Sequence, residues 1–247
     1  MDKLIFTAMT GAKHTQQRQD TLAQNIAHVS TAGYRAATYA ARAIPVTGAG
    51  AATRAFALES TTGADLSPGP VQRTGRELDV AVEGKSWLTV QGRDGREAYT
   101  RSGSIRVDDN GALLAPGGFP LMGDSGPLVI PPESTISIAR DGTISAIPDS
   151  GSQSAVSVVG RIKLVTLEAR DAVRGDDGLF RTANGNPAAA DERGTLLSGA
   201  LEGSNVNPAE AMVAMIGVSR DFELQMRLLT MAENNARSAA QLLSVTS

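Results

Sequence analysis

The sequence contains no cysteine, so disulfide bonds, thiolate metal ligands and cysteine nucleophiles are excluded. It has only two histidines, His14 and His28. Aromatic residues make up 4% of the chain. Tyr34, Tyr39 and Trp87 are too scattered to form a platform on which nucleic-acid bases could stack. These shortages weigh against enzymes and nucleic-acid-binding proteins.

Long apolar runs and a dominant charge are missing as well. No stretch approaches the roughly 18 consecutive apolar residues that a membrane span requires. The formal net charge is −3, with both signs spread along the chain, which argues against a nucleic-acid-binding or polybasic membrane-surface protein. The short apolar run near the start is broken by Thr7, Thr10 and Gly11, and no small-residue cleavage site follows it. We therefore expect no cleaved signal peptide.

One string resembles an enzyme motif, the Gly-Asp-Ser-Gly that surrounds the nucleophile of trypsin-like proteases. A serine of this kind needs a histidine base, and both histidines lie in the N-terminal helical segment, outside the region that reads as β. We interpret Ser125 as a turn residue. Catalytic, cofactor-binding and metal-binding residues are all expected to be absent. The turn at residues 108–111 lacks the ligand spacing of an EF-hand, although incidental ion binding at Asp-Gly turns is left open.

Both ends of the chain have helical periodicity. Alternate steps of three and four residues connect a mainly apolar seam in the first helix, made of Met1, Ile5, Ala8, Ala12, Thr15, Gln19, Leu22, Ile26 and Val29. The same steps in the last helix give Met212, Met215, Ser219, Phe222, Met226, Leu229, Glu233, Ala236, Ala240 and Leu243. Asn207 followed by Pro208 predicts the start of this helix, with Glu210 in its first turn.

The C-terminal helix has a second apolar row, beside the seam. Its members are Val213, Leu224, Leu228 and Leu242, with Ile216 and Met231 nearby. A single pair of helices would leave this row in water, and exposed apolar stripes usually mark a protein interface. Either the helices pack on the β domain of their own chain, or they need neighbouring copies. The methionines in the seam favour neighbours, because methionine adapts to imperfectly matched surfaces.

The middle of the chain, from residue 77 to about residue 200, reads as short antiparallel strands. Asn110-Gly111 and Asp141-Gly142 each lie between two alternating apolar runs, which is a strong hairpin signal. The run at 155–167 indicates another pair of strands. The predicted fold class is α+β, with a mainly antiparallel β domain (a sandwich or distorted barrel) and terminal helices that pair as a coiled-coil-like domain.

This pattern predicts four segments in chain order. Residues 1–36 form the N-terminal helix, 37–76 an extended linker, 77–204 the β-rich domain and 205–247 the C-terminal helix. The first and last segments together form a terminal helical domain. We expect the N-terminal helix to stop where Ser30 and Thr31 compete for backbone hydrogen bonds.

The end of the first helix resembles a signature of the bacterial flagellar axial proteins, which comprise rod, hook and hook-associated proteins. In that family a helix carrying Asn-Asn-Leu-Ala-Asn is followed by a threonine, a glycine, an aromatic and a basic residue. Here residues 24–35 read Gln-Asn-Ile-Ala-His-Val-Ser-Thr-Ala-Gly-Tyr-Arg. Gln24 and His28 depart from the family pattern. The positions that match include Asn25, Gly33 and Tyr34.

Three further stretches resemble the same family, in the family's order. Residues 201–216 begin with Leu-Glu-Gly-Ser-Asn-Val-Asn, which is similar to the segment before the family's terminal helix. Residues 75–91 and 97–123 resemble the β segment shared by rod and hook proteins. The length and the residues at 43–50 and 53–72 look most like a proximal rod protein. A distal rod protein or another hook or rod protein is the alternative.

The resemblance implies a structural subunit of the proximal rod, not an enzyme, that assembles helically and transmits motor torque. Its implied partners are copies of itself, the other proximal and distal rod proteins and the flagellar type III export apparatus, with no nucleic acid, small-molecule substrate or cofactor. Its implied location is the periplasmic rod of the basal body, reached without a cleaved signal peptide. An alternative of a different class is an extracytoplasmic binding or hydrolytic β domain with oligomerising helices.

The predicted assembly interface combines the two helical seams with the resembling loop. Its residues are Ile5, Leu22, Asn25, Ile26, Val29, Gly33, Tyr34, Asn205, Asn207, Met212, Met215, Phe222, Met226, Leu229 and Leu243.

Overall fold

The computed structural model describes residues 2–45, 55–132, 134–148 and 156–245. The chain divides into two compact units. The helical unit comprises Met1–Ala27, Ala37–Gly63 and Asn207–Ser247, and the β unit comprises His28–Ala36 and Ala64–Val206. Two long helices and many antiparallel strands make this an α+β fold, which confirms the predicted class.

The helical unit contains both helices, α1 (Asp2–Ala27) and α2 (Pro208–Val245), which pack against each other. Asn207 caps α2: its Oδ1 accepts hydrogen bonds from the backbone N–H groups of Ala209 and Glu210, at 3.1 and 3.4 Å. The predicted cap and helix start are therefore confirmed. Neither helix, over its described residues, has an apolar stretch long enough to cross a membrane.

The shielded side of α1 is the side that carries the predicted seam. Ala8 and Ala12 are buried, and the next seam positions, from Thr15 to Ile26, are half-buried. Gly11 lies on this side too, where an added Cβ would come within 3.1 Å of the side-chain oxygen of Gln225 in α2. Small residues therefore let the two backbones approach closely.

The shielded side of α2 differs in part from the predicted seam. Met215, Phe222 and Leu229 are half-buried, as the heptad steps require. The positions between them in the structure are Ala211, Val218, Gln225 and Ala232, whereas the predicted Met212, Ser219, Met226 and Glu233 are exposed. From a given residue, a seam of alternate steps can continue with a step of three or with a step of four. The two resulting seams share every second residue. The close approach of the helices selects the seam with smaller residues.

A two-stranded ribbon completes the described part of the helical unit. Its strands are β1 (Ala37–Pro45) and β2 (Ala55–Ala64), within the segment predicted as an extended linker. Most of these residues are alanine or threonine, so the strands lack the alternation of large apolar and polar residues that identifies a strand in sequence. Asn25 holds the start of β1, with both atoms of its amide group hydrogen-bonded to the backbone of Ala37 at 2.8 and 2.9 Å.

The β unit is made of short strands. In chain order they are β3 (Val71–Arg73), β4 (Val80–Val82), β5 (Ser86–Gln91), β6 (Glu97–Thr100), β7 (Arg106–Val107), β8 (Leu113–Ala115), β9 (Phe119–Pro120), β10 (Met122–Gly123), β11 (Gly126–Pro127), β12 (Ser134–Ile138), β13 (Thr143–Pro148), β14 (Ser157–Arg161), β15 (Leu164–Thr166), β16 (Ala172–Arg174), β17 (Phe180–Thr182), β18 (Leu196–Ser198) and β19 (Ala200–Glu202).

These strands form several small sheets and, over the described residues, no closed barrel. The largest is five-stranded, in the order β15-β5-β6-β17-β16, and two three-stranded sheets have the orders β12-β13-β14 and β7-β8-β9. The remaining pairs are β10-β11, β18-β4 and β19-β3. In the last two, a strand from the end of the β unit pairs antiparallel with one from its beginning.

The hairpin predictions are partly correct. Strands β7 and β8 pair around Gly111, and β12 and β13 pair around Gly142; both glycines have positive φ, at 80° and 86°. The run at 155–167 does contain two strands, but they do not pair with each other, because β14 joins β13 whereas β15 joins β5. Val158 is exposed and Ile162 is buried, so the chain changes sheets between them.

Two apolar clusters form the core of the β unit. The larger is aliphatic and includes Leu88, Ile105, Leu121 and Ile144, each with no exposed surface. The smaller is built around Trp87, Tyr99 and Phe180, with Val165 and Leu167. Trp87 lies opposite Val165 and Tyr99 lies opposite Phe180 across the five-stranded sheet, so strand register brings these rings together.

Candidate assembly interface

The outer side of α2 is rich in exposed apolar side chains. Between 45% and 70% of the surface of each is exposed in Met212, Val213, Ile216, Leu224, Met226, Leu228 and Met231. The second row that was predicted to remain in water therefore does so, except that the side chain of Leu242 lies outside the described residues. On α1, Met9 is also exposed.

These side chains are not confined to a single stripe. At 100° per residue they spread over an arc of about 200°, centred opposite the shielded side of α2. Exposed charged side chains lie within the same arc, at Arg220, Glu223 and Arg227, so the outer side of α2 is a mixed apolar and charged surface. One additional helix could cover only part of this arc, so full burial requires contact with more than one neighbouring element.

The remaining predicted helical residues are shielded to different degrees. Leu22, Ile26 and Val29 are half-buried, Val29 in the β unit. The side chains of Ile5 and Leu243 lie outside the described residues. Asn25 is buried, and its amide is used within the chain at Ala37. A role for these residues in assembly stays a prediction.

The resembling loop lies in the β unit, as residues His28–Ala36, here termed the N-terminal loop. Gly33 has φ 69°, and an added Cβ would come within 2.3 Å of the backbone of Arg101 and Ser102. Only glycine fits this position, because it needs a left-handed conformation and also lies against another backbone.

Tyr34 is buried within the same loop between two other side chains. Its ring stacks on that of His28 with centroids 4.6 Å apart, and the guanidinium carbon of Arg174 lies 4.3 Å from its centroid. Arg174 also donates a hydrogen bond to the carbonyl of Arg35 at 3.1 Å. Tyr34 therefore anchors the loop to the rest of the β unit.

Residues 200–206, here termed the C-terminal approach, lie beside this loop in the β unit. The Gly33 N–H donates to the Glu202 carbonyl at 2.7 Å. The Oδ1 of Asn205 accepts from the N–H of Ala36 at 2.7 Å, and its Nδ2 donates to the carbonyls of Asp65 and Ser67. Asn205 thus joins three segments of the β unit and uses both atoms of its amide group within the chain.

A buried charge cluster lies beneath these backbone contacts. It consists of Arg35, Arg101 and Glu202, each at most 3% exposed. Glu202 accepts from Arg35 at 2.7 Å through one carboxylate oxygen and from Arg101 at 3.2 Å through the other. The first oxygen also accepts the N–H of Gly69 at 2.8 Å. One carboxylate therefore joins four separate parts of the β unit.

Trp87 lies against both arginines of the charge cluster. The guanidinium carbons of Arg35 and Arg101 lie 5.6 and 5.3 Å from its ring centroid. Burial lowers the pKa of Arg101 to about 10; attraction by Glu202 opposes this shift and repulsion by Arg35 adds to it. Arg101 still carries its charge at neutral pH, and the carbonyls of Val82 and Gly84 accept from it at 2.8 and 2.5 Å.

The charge cluster was not predicted from the sequence. Arg35 was noted only as part of the resembling loop, and neither Arg101 nor Glu202 was selected. Arg35 and Glu202 are 167 positions apart, so no periodicity links them. The one available signal was that both lie in stretches that resemble the same family.

The β unit offers no arrangement for hydrolysis around Ser125. This residue is exposed and borders a cavity of about 320 Å³ whose lining, over the described residues, contains no histidine. Another cavity, of about 550 Å³, is bordered by Lys163 and Arg161. Lys163 pairs with Glu97 at 2.7 Å, and Arg161 donates to two backbone carbonyls. In the described ranges, no three acidic or histidine side chains lie close enough to hold a metal ion.

Three protein-family models match successive parts of the chain. One described as flagella basal body rod protein matches residues 5–35. One described as flagellar hook protein FlgE/F/G D1 domain matches residues 81–146, and one described as flagellar basal body rod FlgEFG protein C-terminal matches residues 197–242. Each matched range contains one member of the charge cluster.

Individual relatives extend this similarity to the whole chain. The flagellar basal-body rod protein FlgF of Salmonella typhimurium is 46% identical over 252 residues, and that of Escherichia coli is 44% identical over 252 residues, with 100% of both chains covered in each case. The flagellar basal-body rod protein FlgG of Bacillus subtilis is 27% identical over 256 residues, covering 94% of this chain and 96% of the relative.

Proposed function

Because the chain belongs to the FlgF family of flagellar basal-body rod proteins and is a structural subunit of the rod, we propose that it builds the proximal part of the rod. It does so by helical association with copies of itself and with other rod proteins, including the distal rod protein FlgG. The rod in turn transmits motor torque. Family membership and the exposed surface of α2 support this proposal.

The surface of α2 is the observation on which the proposal chiefly rests. Burying the exposed half of a large aliphatic side chain contributes roughly 1 kcal/mol, and seven such side chains lie on the outer side of α2. Because they cover a wide arc, their burial requires several neighbours, as a helix has inside a helical assembly. The helical unit is the proposed assembly domain, and its interface includes Met212 and Met226.

The proposed location is the periplasmic part of the basal body. The subunit reaches it through the flagellar type III export apparatus and keeps its N-terminus. Family membership supports this route, and so does the expectation from the sequence that no signal peptide is cleaved. The role is structural and needs neither a cofactor nor a small-molecule substrate.

The experiment that tests this function introduces charge on the outer side of α2. Leu224→Asp and Leu228→Asp change side chains that are 55% and 50% exposed, so the free protein should fold and melt normally. In the rod, a carboxylate placed among apolar side chains that become buried would oppose packing. Each variant should therefore abolish motility and be missing from isolated basal bodies when it replaces the original copy.

The matched control is Val158→Asp, which makes the same kind of change at a side chain that is 69% exposed in the β unit. It should leave motility intact. Normal basal bodies containing the α2 variants would contradict the proposed interface. Loss of assembly in all three variants would mean that α2 has no special role.

A further inference from the structure

We infer that Glu202 positions the N-terminal loop on the β unit, and that the charge cluster is a latch that opens before the strands of that unit separate. The C-terminal approach supplies the carboxylate, and the N-terminal loop supplies Arg35. Docking of the N-terminal loop on the β unit therefore depends on the C-terminal approach. This inference does not depend on the proposed rod assembly.

The geometry of Glu202 supports its positioning role. Its carbonyl accepts the Gly33 N–H, and its carboxylate accepts from Arg35, Arg101 and Gly69. With Asn205, which accepts from Ala36, the C-terminal approach supplies the hydrogen bonds on one side of the loop. The loop has other attachments at Tyr34, through His28 and Arg174, but these do not touch the cluster's carboxylate.

The charge balance makes the cluster dependent on this carboxylate. With all three groups ionised, two buried cations face one buried anion. In the described part of the chain, Nε and Nη1 of Arg35 and Nε of Arg101 are buried without a hydrogen-bond partner. Removing the carboxylate would leave two like charges in a site shielded from water, which is unfavourable. The loop can relieve this by moving Arg35 into solvent.

The strands of the β unit are held together by apolar contacts and backbone hydrogen bonds, and they depend less on the latch than the N-terminal loop does. The larger apolar cluster holds β5 and β8 through Leu88, Val90 and Leu113, which have no exposed surface. The charge cluster meets it at β4, where the Val82 carbonyl accepts from Arg101. Backbone bonds such as that from Leu113 to Leu128 lie within this part of the unit. We therefore expect the loop to open locally, as a unit of lower stability than the core.

The test uses amide hydrogen exchange in the full chain with Glu202→Gln, which removes the charge and keeps the shape. Exchange at Gly33 and Ala36, whose N–H groups donate to the C-terminal approach, should become at least about tenfold faster. In both proteins Thr89 and Leu113 in the core should exchange more slowly than these two loop amides after correction for intrinsic rates, because the loop opens first. Trp87 is the only tryptophan, so its fluorescence emission should move to longer wavelength as Arg35 leaves its ring and water takes its place.

The matched control is Glu233→Gln, which removes an exposed carboxylate paired with Arg237 on α2. It should leave exchange at all four amides and the Trp87 emission unchanged. If Glu202→Gln does not fold, Glu202→Asp replaces it, because it keeps the charge but has a shorter side chain. Exchange at Gly33 and Ala36 should then become faster by a factor below about ten. Unchanged exchange in the loop would overturn the inference. A common exchange rate for loop and core amides in the unchanged protein, after correction for intrinsic rates, would do so too, because the loop would then open only together with the strands.

Discussion

The N-terminal loop and the outer side of α2 were predicted to belong to one assembly interface, yet the structure treats them in opposite ways. In the β unit, Gly33, Tyr34 and Asn205 find their partners within the chain. On the outer side of α2, seven large apolar side chains remain 45% to 70% exposed. The polar groups of the first region are satisfied within the chain, whereas the apolar groups of the second are left in contact with solvent.

The difference follows from the chemistry of the two regions. A buried polar group without a hydrogen bond is costly, so Glu202 and Asn205 are satisfied by their own chain. An exposed apolar side chain costs little in a soluble subunit, and its burial becomes favourable only when a second surface arrives. Polar signature residues can therefore be structural, whereas assembly can rest on apolar residues without any motif.

The largest effect should come from Gly33→Ala, which challenges the claim that the N-terminal loop is complete within the chain. The left-handed conformation and the overlap with the backbone of Arg101 should together cost about 4 kcal/mol of the β unit's stability. Denaturant unfolding followed by Trp87 fluorescence measures this. Gly75→Ala is the control, since its φ is also positive, at 75°, but nothing lies near the added Cβ. It should cost only about 1 kcal/mol; equal losses would show that no close contact exists at Gly33.

A smaller effect is expected from Phe222→Asp, which tests whether the two units respond separately. Phe222 is half-buried on the shielded side of α2, so a charge there should weaken helix pairing by about 2 kcal/mol. Circular dichroism should show loss of helix at a lower denaturant concentration. The Trp87 fluorescence transition, which reports the β unit, should not move. A parallel shift of both transitions would contradict the separation.

The smallest effect should follow Asn207→Ala, which removes the cap where α2 begins. Loss of the two hydrogen bonds to Ala209 and Glu210 should lower helix stability by about 1 kcal/mol. Helical circular dichroism measured against temperature is the readout. Asn234→Ala, at an exposed position in the middle of α2, should have no destabilising effect. If the two variants behaved alike, the cap would contribute nothing.

Much of the local structure could be predicted because it depends on neighbouring residues. Asn207 and Pro208 define the start of α2, and Gly111 and Gly142 define two hairpins, all through local backbone preferences. The β1–β2 ribbon escaped prediction because alanine and threonine give no clear alternation. The order of steps along α2 depended on how closely another helix could approach, which its own sequence does not contain.

The helical ends, the β-rich middle and the second apolar row on α2 could all be predicted from the amino-acid sequence. These properties follow from short-range periodicity and from the chemistry of single side chains. The meeting of Arg35, Arg101 and Glu202 beside Trp87 could not be predicted in this way, because folding brings together groups as far as 167 positions apart. Their pairing is fixed by the cost of burying charge, and that cost exists only once the chain has closed around them.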